Sequence, residues 1–201
     1  MKYYPIFLNL KAKKAVVVGG GIVAERKAIT LVKAGASVHI ISPRVTKALR
    51  GLIKKGVLTH IKRNYKKGDL KNAFIVIAGT SSPDTNTKIS QDAGHLINVI
   101  DTPSEGNFIA PSLVRRGPLT IAISTEGCSP AASMTIRKEL EKLYGKEFTR
   151  YLRLLEQVRT KAMKEIKDAK KREKFLKGLA SKKIFNNLRK QGQSSLPSCI
   201  K

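Results

Sequence analysis

The run Ala15-Val16-Val17-Val18-Gly19-Gly20-Gly21-Ile22-Val23-Ala24-Glu25-Arg26-Lys27 admits few folds. Four apolar residues make a buried strand, three glycines a sharp turn, and the residues after them a helix. The run reads G-x-G-x-x-A at Gly19, Gly21 and Ala24. In such a turn the first glycine permits the bend and the second lets the backbone approach a pyrophosphate. The small third residue lets helix pack on strand, and the helix N-terminus faces the anion. The bare pattern also fits an ordinary tight strand-to-helix turn. Its place after an apolar strand and before a helical pattern is what points to dinucleotide binding.

The rest of the chain extends the theme. Strands are expected at Val16 to Gly19, Ser37 to Ser42, Val57 to Ile61, Phe74 to Ala78 and His95 to Ile100. Helices are expected at Ile22 to Ala34, Val45 to Lys55 and Asp84 to Ala93, with Gly35, Gly56 and Gly94 as their stops. This alternation predicts an α/β fold, a Rossmann-like doubly wound parallel sheet holding its ligand at the strand C-terminal ends. The pattern then changes. Gly106 to Arg116 reads as a connection, with Pro111 inside it and Gly117 just after. Leu119 to Ser124 is one more strand, and Ser129-Pro130 starts a helix to about Tyr144. From Glu147 to about Leu188 the apolar residues recur at helical spacing, predicting a small all-helical region. Gln191 to Lys201 is polar and is expected to fray.

Composition excludes more than it selects. Forty basic residues stand against 14 acidic ones, a net charge of +26, in a chain that is 41% hydrophobic. That charge recruits polyanions, or serves only solubility. Nucleic acid is disfavoured: there is no helix-turn-helix signature, and 5% aromatics leave little for base stacking. No apolar run reaches the roughly 20 residues that cross a membrane. No signal peptide opens the sequence, so the expected location is the cytoplasm. Cys128 and Cys199 are too few for a disulfide framework. His39, His60 and His95 lack metal-ligand spacing, so no structural metal is expected.

The strand ends supply the candidate chemistry. Ser42-Pro43-Arg44 follows the second strand, where an NAD site often carries an acid for the ribose hydroxyls. Arg44 there suits a 2′-phosphate, so NAD and NADP stay open on physical grounds. Gly79-Thr80-Ser81 ends the fourth strand, and Thr80 is a candidate to line the cofactor. Asp101 follows the fifth strand, as a catalytic carboxylate or as a capping aspartate before Thr102-Pro103.

Several blocks together resemble the precorrin-2 dehydrogenase family, the N-terminal module of sirohaem synthases. They are Pro5-Ile6-Phe7; Val18-Gly19-Gly20-Gly21-x-Val23-Ala24-x-Arg26-Lys27; Asn98-Val99-x-Asp101; Phe108-Ile109-x-Pro111-Ser112; and Ile121-Ala122-Ile123-Ser124-Thr125-x-Gly127-x-Ser129-Pro130 with Ile136-Arg137. They keep their order over residues 1 to about 145, and the helical region fits more loosely. The resemblance implies oxidation of precorrin-2 to sirohydrochlorin with NAD, on the route to sirohaem. It implies a homodimer and three parts: a Rossmann NAD-binding domain at 1–112, a dimerisation segment at 113–145 and a basic helical domain at 146–190, ahead of a tail at 191–201. Larger members add a methyltransferase domain, for which 201 residues leave no room.

By the same resemblance Ile22, Val23, Pro43 and Arg44 join Gly19, Gly20 and Gly21 as cofactor contacts, and Asp101 matches the catalytic aspartate. Ser129 is a plain helix cap or an anion site; in some relatives the matching serine carries a phosphate. Arg115, Arg116 and Arg137, with Lys138, Arg150, Arg153 and Arg159 behind them, are candidates to hold the polycarboxylate substrate. Two alternatives stand beside this reading. One is an enzyme that also inserts ferrous iron, with Asp101 assisting loss of ring N–H protons. The other is an NAD-sensing regulator that binds nucleic acid through the basic helices.

Overall fold

The computed structural model describes residues 2–191. Apart from Gln191, the tail expected to fray lies outside the described residues. The chain divides into two compact units after Ala110.

In the first unit five strands, β1 (Lys14–Val18), β2 (Ser37–Ile41), β3 (Thr59–Ile61), β4 (Ile75–Ala78) and β5 (Leu96–Val99), form one parallel sheet in the order β3-β2-β1-β4-β5. Helices α1 (Ile22–Lys33), α2 (Lys47–Lys54) and α3 (Pro83–Asp92) connect them. The register sets Val18 beside Ile41 on one side and Ala78 on the other, and Ala78 beside Val99. The C-terminal ends of four strands are therefore level.

Side-chain alternation on β1 builds both cores. Ala15 and Val17 pack with Ala24, Ala28 and Leu31 of α1 and Leu49 of α2. Val16 and Val18 pack on the opposite face with Ile89 of α3. Residues 15 to 18 are at most 1% exposed, which is why this strand reads as an unbroken apolar run. Helix ends follow local chemistry. Thr46 and Ser82 cap α2 and α3, Pro83 takes the first helical position, and Gly35 (φ +83°) lies past the end of α1.

The segment between β3 and β4 has no regular structure and is held by its own ion pair. Arg63 donates twice to Asp69, both at 2.7 Å, and the Lys66 amide donates to the same carboxylate at 2.8 Å. Tyr65 donates to Asp92 at the end of α3, 2.7 Å away. Burial and then that bond push the Tyr65 phenol pKa upward.

In the second unit the expected connection from Gly106 to Arg116 is corrected. Its last part is a strand, β6 (Ser112–Arg116), paired antiparallel with β7 (Leu119–Ile123). Gly117 (φ +59°) and Pro118 make the two-residue turn between them, with glycine at the first central position as such hairpins require. Helices α4 (Pro130–Leu143), α5 (Glu147–Glu165), α6 (Ala169–Leu179) and α7 (Lys182–Gln191) follow. Phe148, Tyr151, Leu179 and Leu188 are the core of the last three. Phe148 and Tyr151 each meet Phe185 edge-on, and the Tyr151 hydroxyl donates to the Leu179 carbonyl.

The Arg63 hydrogen bonds hold the Asp69 carboxyl below its ordinary pKa. A depressed carboxyl contributes stability that is complete above the ordinary carboxylate pKa and is lost as the pH falls below it. Asp69→Asn is expected to lower the melting temperature at pH 7, with the difference from the wild type shrinking as the pH falls through the depressed carboxyl pKa, as followed by circular dichroism.

Candidate functional site

The site is built where β1, β4 and β5 end. Gly19 leaves β1 with φ +126°, and a side chain there would run into the Gly79 carbonyl at the end of β4. A side chain on Gly79 would in turn meet the tip of Ile100, which follows β5. The three strand ends thus meet with two glycines between them. Backbone bonds hold the order: Gly79 N–H to Val18 O and Ile100 N–H to Ala78 O, each 2.9 Å. The sequence places Gly79 and Ile100 at the ends of their strands; their close approach to each other and to Gly19 emerges only in the structure. A glycine directly after a buried strand was the available signal.

Gly20 and Gly21 do different work. A Cβ on Gly20 would collide with the Arg44 carbonyl and lie 2.8 Å from the Ser42 hydroxyl. Gly20 is therefore small because the segment after β2 lies on it. Gly21 is the N-cap of α1, with φ −81°, no side-chain cap bond and open space where a Cβ would stand. The first amides of α1 are left for an anion, and the helix dipole adds to the attraction. The residues present fit a dinucleotide pyrophosphate. Ile22, 70% exposed, and Val23, 38% exposed, flank this opening as apolar surface.

The segment after β2 is docked by polar bonds that sequence inspection missed. Thr46 N–H donates to Gly20 O at 3.1 Å. The Thr46 hydroxyl donates to Glu25 in α1 at 2.5 Å and accepts from Leu49 N–H at 3.2 Å. Ser42 Oγ donates to Arg44 O at 2.6 Å, and His60 Nε2 donates to Ser42 O at 2.8 Å. Pro43 and Arg44 are exposed. The Arg44 guanidinium has no hydrogen bond or ion pair among the described residues.

Thr80 is tied down rather than presented. Its amide and its hydroxyl both donate to Asn86 Oδ1, at 3.0 and 2.8 Å, and its carbonyl accepts from Asn86 Nδ2 at 3.2 Å. Asn86, 6% exposed, fixes the turn after β4.

Asp101 lies on a segment pinned at both ends. Ile100 bonds β4 on one side. On the other, Asn107 N–H donates to Ile97 O at 3.0 Å, Asn107 Oδ1 accepts from Ile97 N–H at 2.9 Å, and Asn98 Nδ2 donates to Phe108 O at 3.1 Å. Gly106 lets this return pass close, since a Cβ there would be 2.8 Å from Ile97 O. Thr87 of α3 donates to Glu105 at 2.9 Å. Asp101 itself is exposed. Its carboxylate accepts no hydrogen bond among the described residues, so the bonds of a capping aspartate are absent.

In the second unit Ser129 caps α4, accepting from Ala132 N–H at 3.1 Å. Thr125 Oγ1 receives Ser129 N–H at 3.2 Å and donates to Ser129 O at 3.1 Å. The candidate cations differ. Arg115 is exposed. Arg137 pairs with Glu141 at 2.6 Å. Arg116 is spent on backbone: it donates to Tyr144 O at 2.8 Å, Arg115 O at 2.9 Å and Glu141 O at 3.1 Å. The structure makes Arg116 an anchor for the C-terminal carbonyls of α4, and its guanidinium is not presented as a free cation.

Among the described residues no group of three or more His, Cys, Asp or Glu side chains is arranged to hold a metal ion, and no helix is long and apolar enough to cross a membrane. A cavity of about 450 Å³ between Lys67–Ala73 and Asp92–His95 opens at the other end of β4 and β5, away from the strand ends described above.

Residues 6–112 match the family model described as putative NAD(P)-binding, and residues 116–143 match that of the central part of sirohaem biosynthesis proteins. The chain belongs to the putative NAD(P)-binding family. Siroheme synthase of Nitrosococcus oceani is 32% identical over 207 residues, covering 100% of this chain and 44% of its own length. That of Photobacterium profundum is 34% identical over 178 residues, covering 87% of this chain and 38% of its own length. The chain spans less than half the length of these relatives. The solved structure of SirC, a precorrin-2 dehydrogenase, matches with a TM-score of 0.82 at 27% identity, over 94% of this chain and 95% of that one. The first unit is thus an NAD(P)-binding domain of this family, with Gly19 to Gly21 forming the turn from β1 into α1.

Alanine at two neighbouring glycines separates fold from binding. Gly20→Ala, facing backbone, is expected to lower the melting temperature. Gly21→Ala fits the free protein but fills the approach to the α1 amides. It is expected to leave the melting temperature within about 2 °C and to weaken dinucleotide binding more than about tenfold by calorimetric titration.

Proposed function

We propose that this chain oxidises precorrin-2 to sirohydrochlorin with NAD, acting in the cytoplasm as a homodimer. The observation that carries the reading is the unpartnered Asp101 on a pinned segment, beside strand ends that open onto a glycine turn. The match to a precorrin-2 dehydrogenase over 94% of the chain supports the same substrate.

Bound nicotinamide supplies a hydride acceptor. The chain supplies the rest. The α1 amides hold the pyrophosphate, with Gly19 and Gly20 keeping side chains away from it. Ile22 and Val23 offer apolar contact, and Pro43, Arg44 and Thr80 border the remainder of the dinucleotide. Asp101 takes the proton lost as the hydride leaves the macrocycle. A positioned general base contributes about 10²–10⁴-fold.

The substrate is a polycarboxylate, and the net charge of +26 draws it in. We assign carboxylate recognition to Arg115 and Arg137, with Ser129 at the start of α4 as a further anion contact or a regulatory position. Dimerisation is assigned to residues 113–145. Met134, Ile136 and Leu143 of α4 are 48%, 39% and 41% exposed, apolar surface that a second copy would cover.

The test is anaerobic turnover of precorrin-2 with NAD, followed by NADH absorbance with and without ferrous iron. Asp101→Asn is expected to lower kcat about 10²–10⁴-fold with KM for NAD unchanged. Iron-dependent loss of sirohydrochlorin in the wild type would add a chelatase activity. Tight dinucleotide binding without turnover would overturn the enzyme reading.

A further inference from the structure

The end of β2 lacks the acid that an NAD site commonly turns toward the ribose hydroxyls. Ser42 stands there instead. It is 8% exposed, with its hydroxyl committed to Arg44 O and its carbonyl to His60. Arg44, exposed and unpaired among the described residues, is a group that would welcome a 2′-phosphate. On these residues alone the subsite favours NADP.

One acid is nevertheless bonded into this segment, and it comes from a different element. Glu25, on the first turns of α1, accepts the Thr46 hydroxyl at 2.5 Å. Thr46 also donates its amide to Gly20 O and caps α2. A single threonine therefore joins the glycine turn, the segment after β2 and the Glu25 carboxylate. Glu25 has no ion pair with a cation among the described residues, so its charge is not cancelled locally. The carboxylate is bonded to the segment after β2, which also bonds the glycine turn.

We infer that Glu25, held in place by Thr46, is the specificity-determining acid of the ribose subsite, favouring a 2′-hydroxyl over a 2′-phosphate. The inference rests on the reading that the dinucleotide binds at the glycine turn. Glu25 is a positioning and selectivity residue, outside the reacting centre. Its charge opposes the 2′-phosphate that Arg44 would attract, and its bond to Thr46 keeps the segment after β2 seated on Gly20. Selectivity here is a difference of two affinities, and a like charge is an economical way to create it.

The two roles separate by substitution. Glu25→Gln keeps an acceptor oxygen for Thr46 and removes the charge. Thr46→Val keeps the volume and removes the bond. Calorimetric titration of the full chain with NAD and with NADP reads both, and thermal melting of each variant confirms the fold. Glu25→Gln is expected to shift the ratio of NADP to NAD affinity about tenfold toward NADP. Thr46→Val is expected to weaken both dinucleotides together. Glu25→Ala gives the same NADP to NAD ratio test if the glutamine variant melts early.

An unmoved ratio in Glu25→Gln and Glu25→Ala, in a protein that binds NAD more tightly than NADP, overturns this inference alone. Binding of neither dinucleotide by the wild type overturns the proposed function and this inference with it.

Discussion

Everything at the candidate site depends on backbone meeting backbone where β1 and β4 end. Gly19 lies so close to the Gly79 carbonyl that it tolerates no side chain. Beneath them β1 is fully enclosed, from Ala15 to Val18, between helices on both faces. A rigid, dry strand thus ends at a rim with no side chains on it. That rim is a place where a pyrophosphate can approach main-chain amides. The same contact sets the neighbouring strand, because the space a Gly79 side chain would fill is occupied by Ile100. Ile100 in turn fixes where the chain emerges toward Asp101. One steric constraint links the cofactor turn to the carboxylate.

The sequence reveals features whose period is short. The apolar run of β1, the glycine turn and the alternation of strands with helices are local patterns. Each needs only neighbouring residues to be recognised. The hairpin strand Ser112–Arg116 escaped because its apolar content is confined to Leu113 and Val114, between a proline and two arginines. The Gly117-Pro118 turn was its legible marker. The bonds that shape the site span longer distances. Thr46 and Glu25 are 21 positions apart, and Asn107 reaches back ten to Ile97. No periodicity announces such pairs. Arg116 shows the converse. Its charge is visible in the sequence, but the nearby end of α4 that absorbs it is visible only in three dimensions.

The charge balance has a structural side. Acids are scarce here, and many are occupied within the fold. Asp69 holds Arg63, Asp92 holds Tyr65, Glu141 holds Arg137, Glu105 takes Thr87 and Asp168 caps α6. The scarce acids are spent on internal order, and most of the excess cations are left facing water. A polyanionic ligand then meets a surface with little competing negative charge. Such attraction acts over a distance and weakens with salt. It concentrates a polycarboxylate without specifying how it binds.

Asp101 is an exposed acid whose carboxylate accepts no hydrogen bond among the described residues. Among the described residues no buried polar side-chain atom lacks a partner, and the segment around Asp101 is satisfied bond by bond through Asn98, Asn107, Glu105 and Ile100. A base must present a free lone pair to the proton it takes. It must also not drift, because misplacement is costly to proton transfer. A free carboxylate on a fixed segment meets both demands. In the proposed reaction the surrounding asparagines hold the segment and leave the Asp101 carboxylate open.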